Sequence, residues 1–324
     1  MRWGILGAGL IAGAVGADIA ASPSSEVAAV GARDLDRARK LADRLGAPRA
    51  YGSYAELVAD PDLDVVYVAT THAHHHEHAL LAIEAGKNVL VEKAFTLTAM
   101  QAQEVVAAAA ARDVFCMEAM WMRMNPLVRR ALEMARGGSI GRVLSVTADH
   151  GQRFAYDPKH RLFDLDAGGG ALLDLGVYPA TFAWMFLGAP TGVATTGHLS
   201  PTGSDATLAM QWSYDDDRHA HVACTTEAQT PCQATVIGTE GWLRVGTPLY
   251  RPCELTVHTR GGGTEVLTEP LPGNGYGPQV AEVERCLRAG LAESPLVPLS
   301  ETVAIMGLMD RARADLGVRY PADG

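Results

Sequence analysis

The sequence predicts an α/β protein in two parts. A doubly wound parallel-sheet domain is expected over residues 1–120, and an α+β domain with a large, mainly antiparallel open sheet over 121–324. Three observations predict this. Short apolar runs alternate with helical patterns through the first third of the chain. A glycine-rich turn follows the first of those runs. After "NPLVRRALEMARGG" the runs become longer and more polar, and several alternate apolar with polar residues.

The candidate strands of the first part are "RWGILG" (2–7), "EVAAVGA" (26–32), "DVVYVAT" (64–70), "NVLVEK" (88–93) and "VFCMEAM" (114–120). Continuous apolar runs of this length suit strands buried on both faces. The helices between them have readable ends. Ser53 to Glu56 has capping-box spacing, and Gly86 stands where a left-handed C-cap would follow "EHALLAIEA". "AMQAQEVVAAAAARD" is rich in helix formers. In the second part, Asn125 is a candidate N-cap with Pro126 at the first helical position and Gly137 beyond the end. The candidate strands there are "GRVLSVTADHG", "GVATTGHLS", "ATLAMQWSYDD", "HAHVACTTEA", "CQATVIGTEG", "WLRVG" and "ELTVHTR". Two helices close the chain. "VAEVERCLRAG" places Val280, Val283 and Leu287 on one face, and "SETVAIMGLMDRAR" is expected to start at a Ser300 cap. The last helix is a candidate to pack back on the first domain.

Composition narrows the partners. Hydrophobic residues make up 48% and charged residues 20%, as in ordinary globular proteins. The net charge is −10 with no Lys or Arg run, which argues against nucleic acid and anionic membrane surfaces. Five cysteines without a C-x-x-C pair read as reduced thiols in a cytoplasmic protein. The apolar N-terminus superficially resembles a signal peptide. Its charged region is a single arginine and glycines interrupt the run, so no secretion signal is expected. No other apolar stretch approaches the ~20 residues of a membrane span.

"GILGAGLIA" places Gly7, Gly9 and Ala12 in the G-x-G-x-x-A pattern between a predicted strand and a predicted helix. Gly7 permits the tight turn and Gly9 lets backbone approach a pyrophosphate. Ala12 lets helix and strand pack closely, and the helix N-terminus at Leu10 and Ile11 offers free N–H groups. These five residues are the candidate dinucleotide site. At the end of the second strand, where NAD sites carry an acidic residue, the chain reads "VGARD". Arg33 suits a 2′-phosphate, which favours NADP, with NAD the alternative.

"THAHHHEHA" (71–79) holds five histidines after the third predicted strand. Ligands of open α/β sheets bind outside the carboxyl ends of strands, so Thr70, Thr71 and His74 are expected beside the cofactor. A helix is expected from near His75, and His74 and His78 would share one face. No third ligand has a clear claim and there is no H-E-x-x-H, so no metal site is expected.

From "NVLVEKA" onward the sequence resembles the glucose–fructose oxidoreductase / inositol dehydrogenase (Gfo/Idh/MocA) family, nearest its dimeric dihydrodiol dehydrogenase branch. The similar stretches are "GILGAGLIA", "EAGKNVLVEKAF", "FCMEAMWMRMNP", "RLFD", "GGGALLDLGVYPATF" and "SETVAIMGLMDRAR", covering nearly the whole chain. The resemblance implies an N-terminal Rossmann domain and a C-terminal domain whose open sheet forms a homodimer or higher homo-oligomer. It implies hydride transfer between NADP and a hydroxyl carbon of a sugar, polyol or trans-dihydrodiol. It also implies a reaction-centre lysine at Lys93, beside Glu92 at the cofactor, and a proton-transfer tyrosine at Tyr178. A carbinol that loses hydride must lose its hydroxyl proton to a base. A free phenol has pKa ≈ 10, and a nearby ammonium favours the phenolate. Asp174, four residues before Tyr178, either orients Lys93, binds a substrate hydroxyl or caps the helix. The chain departs from the family's E-K-P at Glu92-Lys93-Ala94, where alanine loses proline's fixed φ.

The branch also implies a substrate-lining tryptophan at Trp121. Arg123, Phe154 and Arg161 are further candidates, with domain-interface packing the alternative for each. Two other functions share this fold: a regulatory dinucleotide-binding protein and a cofactor-assisted glycosidase.

Overall fold

The computed structural model describes residues 1–321. The chain divides into two compact units, Met1–Trp121 with Pro272–Val303, and Met122–Leu271 with the residues from Ala304 onward.

In the first unit, strands β1 (Arg2–Leu6), β2 (Glu26–Gly31), β3 (Arg49–Tyr51), β4 (Val65–Val68), β5 (Asn88–Val91) and β6 (Cys116–Glu118) form a sheet in the order β3-β2-β1-β4-β5-β6. Every pairing is parallel. The apolar runs become strands because both faces are covered: Trp3, Ile5, Leu6, Val66, Tyr67 and Leu90 are fully buried. Strand β3, "RAY", is absent from the expected strands, because three residues carry no periodic signal. Helices α1 (Leu10–Ala20), α2 (Leu35–Leu45), α3 (Tyr54–Val58), α4 (His75–Glu84) and α5 (Ala99–Arg112) complete the alternation. Ser53 caps α3 by accepting from Glu56 N, and Gly86 follows α4 with φ +74. The strand order reverses between β1 and β4, and a doubly wound sheet binds ligands at that point.

The returning segment Pro272–Val303 is held to α1 by a buried carboxylate. Asp18 accepts from Asn274 N at 2.9 Å and Tyr276 N at 2.7 Å. From the helix that follows, Glu284 accepts from the hydroxyls of Ser22, Ser24 and Ser25.

In the second unit, helix α6 (Pro126–Arg136) is capped by Asn125, which accepts from Leu127 N and Val128 N. Strand β7 (Val143–Gly151) and helix α7 (Val177–Leu187) follow. Then come β8 (Gly192–Leu199), β9 (Asp205–Ser213), β10 (His219–Thr225), β11 (Ala234–Gly238), β12 (Gly241–Val245), β13 (Glu254–Thr259) and β14 (Gly263–Thr268). The sheet order is β14-β13-β12-β11-β7-β10-β9-β8, antiparallel except for β7 beside β10. One face packs Val146, Leu208, Met210, Trp212, Val222 and Val236, all at most 1% exposed, with α7 against β7, β10 and β11. On the other face, Thr147, Asp149, Thr196, Gln211, His221 and Thr235 line an open groove. Helix α8 (Gly277–Arg288) belongs to the first unit.

Two expectations need correction. Helix α9 (Leu299–Leu316) begins before Ser300, and the Pro298 carbonyl accepts from Glu301 N and Thr302 N. Ser300 therefore lies within the first turn and is not the cap. The second concerns apolar length. The run Leu165–Leu187 spans 23 residues and is apolar enough to cross a bilayer by length and composition. Most of its apolar stretch is buried, as a core segment would be.

Candidate cofactor and catalytic site

The dinucleotide turn leaves β1 at Gly7, whose φ is +121. A Cβ there would lie 2.5 Å from Ala69 O, so residue 7 must be glycine for two independent reasons. Gly9 caps α1 with its backbone alone, and a Cβ on it would meet nothing within 4 Å. That open space, with Leu10 94% exposed at the start of α1, fits a ligand approaching the helix N-terminus. Ala12 is fully buried and Ile11 partly so. These contrasts make a prediction. Gly7→Ala should lower Tm and abolish dinucleotide binding, since strain of this kind costs about 1–3 kcal/mol. Gly9→Ala should leave Tm unchanged and still weaken binding. Thermal melts and a fluorescence titration check both, and equal Tm losses would refute the assignment of the open space.

Arg33 is exposed just past β2. Asp34 is engaged locally: its carboxylate caps α2, accepting from Asp36 N at 2.9 Å and Arg37 N at 3.2 Å. Sequence reasoning missed Arg37. Its Nη2 donates to Ala8 O at 3.2 Å, which brings a guanidinium to the dinucleotide turn. The signal was the Asp34 cap, which sets Arg37 in the first turn of a helix.

The histidine loop follows β4. His74 Nδ1 lies 2.9 Å from Thr71 Oγ1, and His78 Nδ1 lies 3.1 Å from Thr70 Oγ1. The rings of His74 and His78 stack at 5.6 Å, the shared face that helical spacing implies. His75 is 1% exposed, and its two nitrogens face Ala94 O at 2.8 Å and Thr70 O at 3.1 Å. Burial pushes both His75 and His78 down to about 4, so both are neutral at pH 7. His76 reaches Glu104 at 2.7 Å instead. Among the described residues no three His, Cys, Asp or Glu side chains converge as a metal-ligand group.

At the end of β5, Glu92 is buried and accepts from the Tyr67 hydroxyl. Its carboxylate also accepts from Lys93 N at 3.2 Å. Burial pushes Glu92 up to about 7, with the neighbouring Glu118 adding to the rise. The Lys93–Ala94 peptide is cis. Trp121 is 7% exposed and packs on Tyr276 with ring centroids 4.3 Å apart. Sequence reasoning did not single out Tyr276.

In the second unit, Tyr178 lies in the first turn of α7 and is 6% exposed. Its ring is 5.6 Å from that of His150, at the end of β7, and 5.2 Å from that of Tyr250. His150 and Tyr250 were also missed, because the loop that carries Tyr250 is distant in sequence and only the sheet brings it back. Leu172–Gly176 forms a π turn before α7. The simple helical spacing from Asp174 to Tyr178 does not hold through it. Asp174 caps neither segment. Its carboxylate accepts a two-pronged pair from Arg161, at 3.2 and 3.1 Å.

The capping role falls to a residue not foreseen. Asp205, on β9, accepts from Leu172 N at 2.6 Å, and burial pushes its carboxyl up to about 6. Gly170, with φ +130, makes room for it, since a Cβ there would lie 2.1 Å from Asp205 Oδ1. Phe154 stacks on His160 at 5.9 Å, and Arg123 is buried. The structure thus gathers Arg161 with Asp174, and leaves Phe154 with a different neighbour.

A parallel sheet with a glycine turn at its switch point, on one chain with an open antiparallel sheet, defines a two-unit dinucleotide-binding class. The chain belongs to the Gfo/Idh/MocA oxidoreductase family: the family's NAD-binding Rossmann-fold model matches residues 1–120, and its C-terminal domain model matches 128–244. Over its full length the chain is 37% identical to the trans-1,2-dihydrobenzene-1,2-diol dehydrogenase of Mus musculus, covering 99% of that protein. It is 36% identical to D-xylose 1-dehydrogenase (NADP(+)) of Hypocrea jecorina, over 99% of this chain and 93% of that one. A solved structure of a 3-ketoreductase from Actinomadura kijaniata, in complex with NADP and TDP-benzene, is 26% identical with a TM-score of 0.86. That match covers 98% of each chain.

Proposed function

We propose that this chain is an NADP-preferring oxidoreductase acting on a hydroxyl carbon of a sugar, polyol or trans-dihydrodiol. One observation carries the reading: the full-length likeness to dehydrogenases of diols and of xylose. The residues present fit the cofactor. Gly7, Gly9, Leu10, Ile11 and Ala12 would hold the pyrophosphate, and Arg33 with Arg37 the 2′-phosphate. Thr70, Thr71, His74 and Glu92 would border it. When bound, the nicotinamide supplies the hydride acceptor or donor.

Tyr178 takes the hydroxyl proton in oxidation and returns it in reduction. Lys93 favours its phenolate by charge. Asp174, held by Arg161, is the third polar member of the centre. Trp121, Arg123, Phe154 and Arg161 contact the substrate, joined by His150 and Tyr250, whose rings neighbour Tyr178. Apolar walls with a few polar groups suit a small hydroxylated substrate. We place the protein in the cytoplasm, a reading supported by five free cysteines. We also propose a homodimer or higher homo-oligomer through the open face of the second sheet.

The test is turnover. Purified protein with NADP+ or NAD+ and a panel of sugars, inositols and trans-diols should raise reduced-cofactor absorbance faster with NADP+. The same preparation should sediment as a dimer or larger. No turnover across the panel, with cofactor binding intact, would overturn the reading.

A further inference from the structure

We infer that His75 is a positioning residue: its imidazole donates from Nδ1 to the Ala94 carbonyl and so fixes the segment that carries Lys93. The inference rests on the oxidoreductase reading for its catalytic consequence. Its geometry stands within the first unit alone. β4 and β5 are neighbours, with Val68 opposite Val91. Thr70 and Ala94 follow their carboxyl ends, where a doubly wound sheet binds its ligand. Two loops leaving adjacent strands have no ladder to hold them in register, so something else must.

His75, the first residue of α4, stands between them. Nδ1 is 2.8 Å from Ala94 O and Nε2 is 3.1 Å from Thr70 O. The ring is 1% exposed, with His72 packed at 5.5 Å, so it has little freedom to turn away. A neutral imidazole has one N–H, and the shorter contact assigns it to Nδ1, donating to Ala94 O; Nε2 then faces Thr70 O without donating to it. On the other side of Lys93, the Glu92 carboxylate accepts from Lys93 N. The backbone of Lys93 is therefore held before and after.

The test uses three variants of the full chain. In His75→Asn the side-chain amide sits at the reach of Nδ1 and keeps the donor to Ala94 O. In His75→Gln it sits one atom farther, at the reach of Nε2. His75→Ala has neither. We expect kcat to fall about 10- to 100-fold in His75→Gln and His75→Ala, with KM changed far less, because small misplacements of a reacting group carry penalties of this order. His75→Asn should stay within about threefold of the parent by the same argument. Hydrogen exchange gives a second readout that needs no turnover: amides 92–96 should exchange faster in His75→Gln than in His75→Asn.

Equal impairment of Asn and Gln variants would reduce His75 to a packing residue and overturn the inference. Faster exchange with unchanged kcat would also overturn it. If His75→Ala fails to fold, the comparison of Asn with Gln still decides. A parent protein inert on every substrate would count against the oxidoreductase reading, while the exchange comparison would separately uphold or sink the His75–Ala94 hydrogen bond.

Discussion

Tyr178→Phe is expected to lower kcat about a hundred- to ten-thousandfold, the usual contribution of a positioned proton-transfer group. Cofactor affinity should be unchanged, because the dinucleotide turn and Arg33 belong to the other unit. Stability should change little as well. The ring is buried beside His150 and Tyr250, and phenylalanine keeps that ring and its packing. The decisive pattern is a lost kcat with an unchanged Tm and an unchanged dinucleotide titration. A variant that retains more than about a tenth of parent kcat would remove Tyr178 from the proton-transfer role.

The second large effect is expected at Lys93. Lys93→Met removes the positive charge and keeps much of the side-chain length. In the proposed role the Lys93 ammonium favours the phenolate, so its removal should raise the pKa that governs oxidation. The rising limb of the kcat/KM–pH profile should then move to higher pH, and kcat near pH 7 should fall about a hundredfold or more. Each pH unit of displacement corresponds to about 1.4 kcal/mol of lost interaction. If the two residues act as one unit, the Lys93→Met/Tyr178→Phe double variant should be little worse than the poorer single variant. Multiplying losses would instead assign Lys93 a separate role, such as binding.

The glycine turn is legible in the sequence alone. Its chemistry is contained in six consecutive residues, Gly7 to Ala12, and backbone conformation is a local property. The same holds for the Asn125 cap, the Ser53 cap and the alternation of strands and helices. The family resemblance rests on such contiguous stretches too. It therefore points to Lys93 and Tyr178 without showing what surrounds either one.

What the tertiary structure decided lies between distant segments. β3 is too short to carry a pattern and exists because β2 offers it a partner. The π turn at Leu172–Gly176 breaks the helical spacing assumed for Asp174, and Asp205, from another strand, receives the Leu172 N–H. In the sequence, His75 is one imidazole among five. Only the pairing of β4 with β5 sets the two carbonyls on either side of it. Turns and periodicities are written in neighbouring residues and can be read there. A hydrogen bond between residues far apart forms only when the fold closes the loop between them, so its partners appear only in the folded chain.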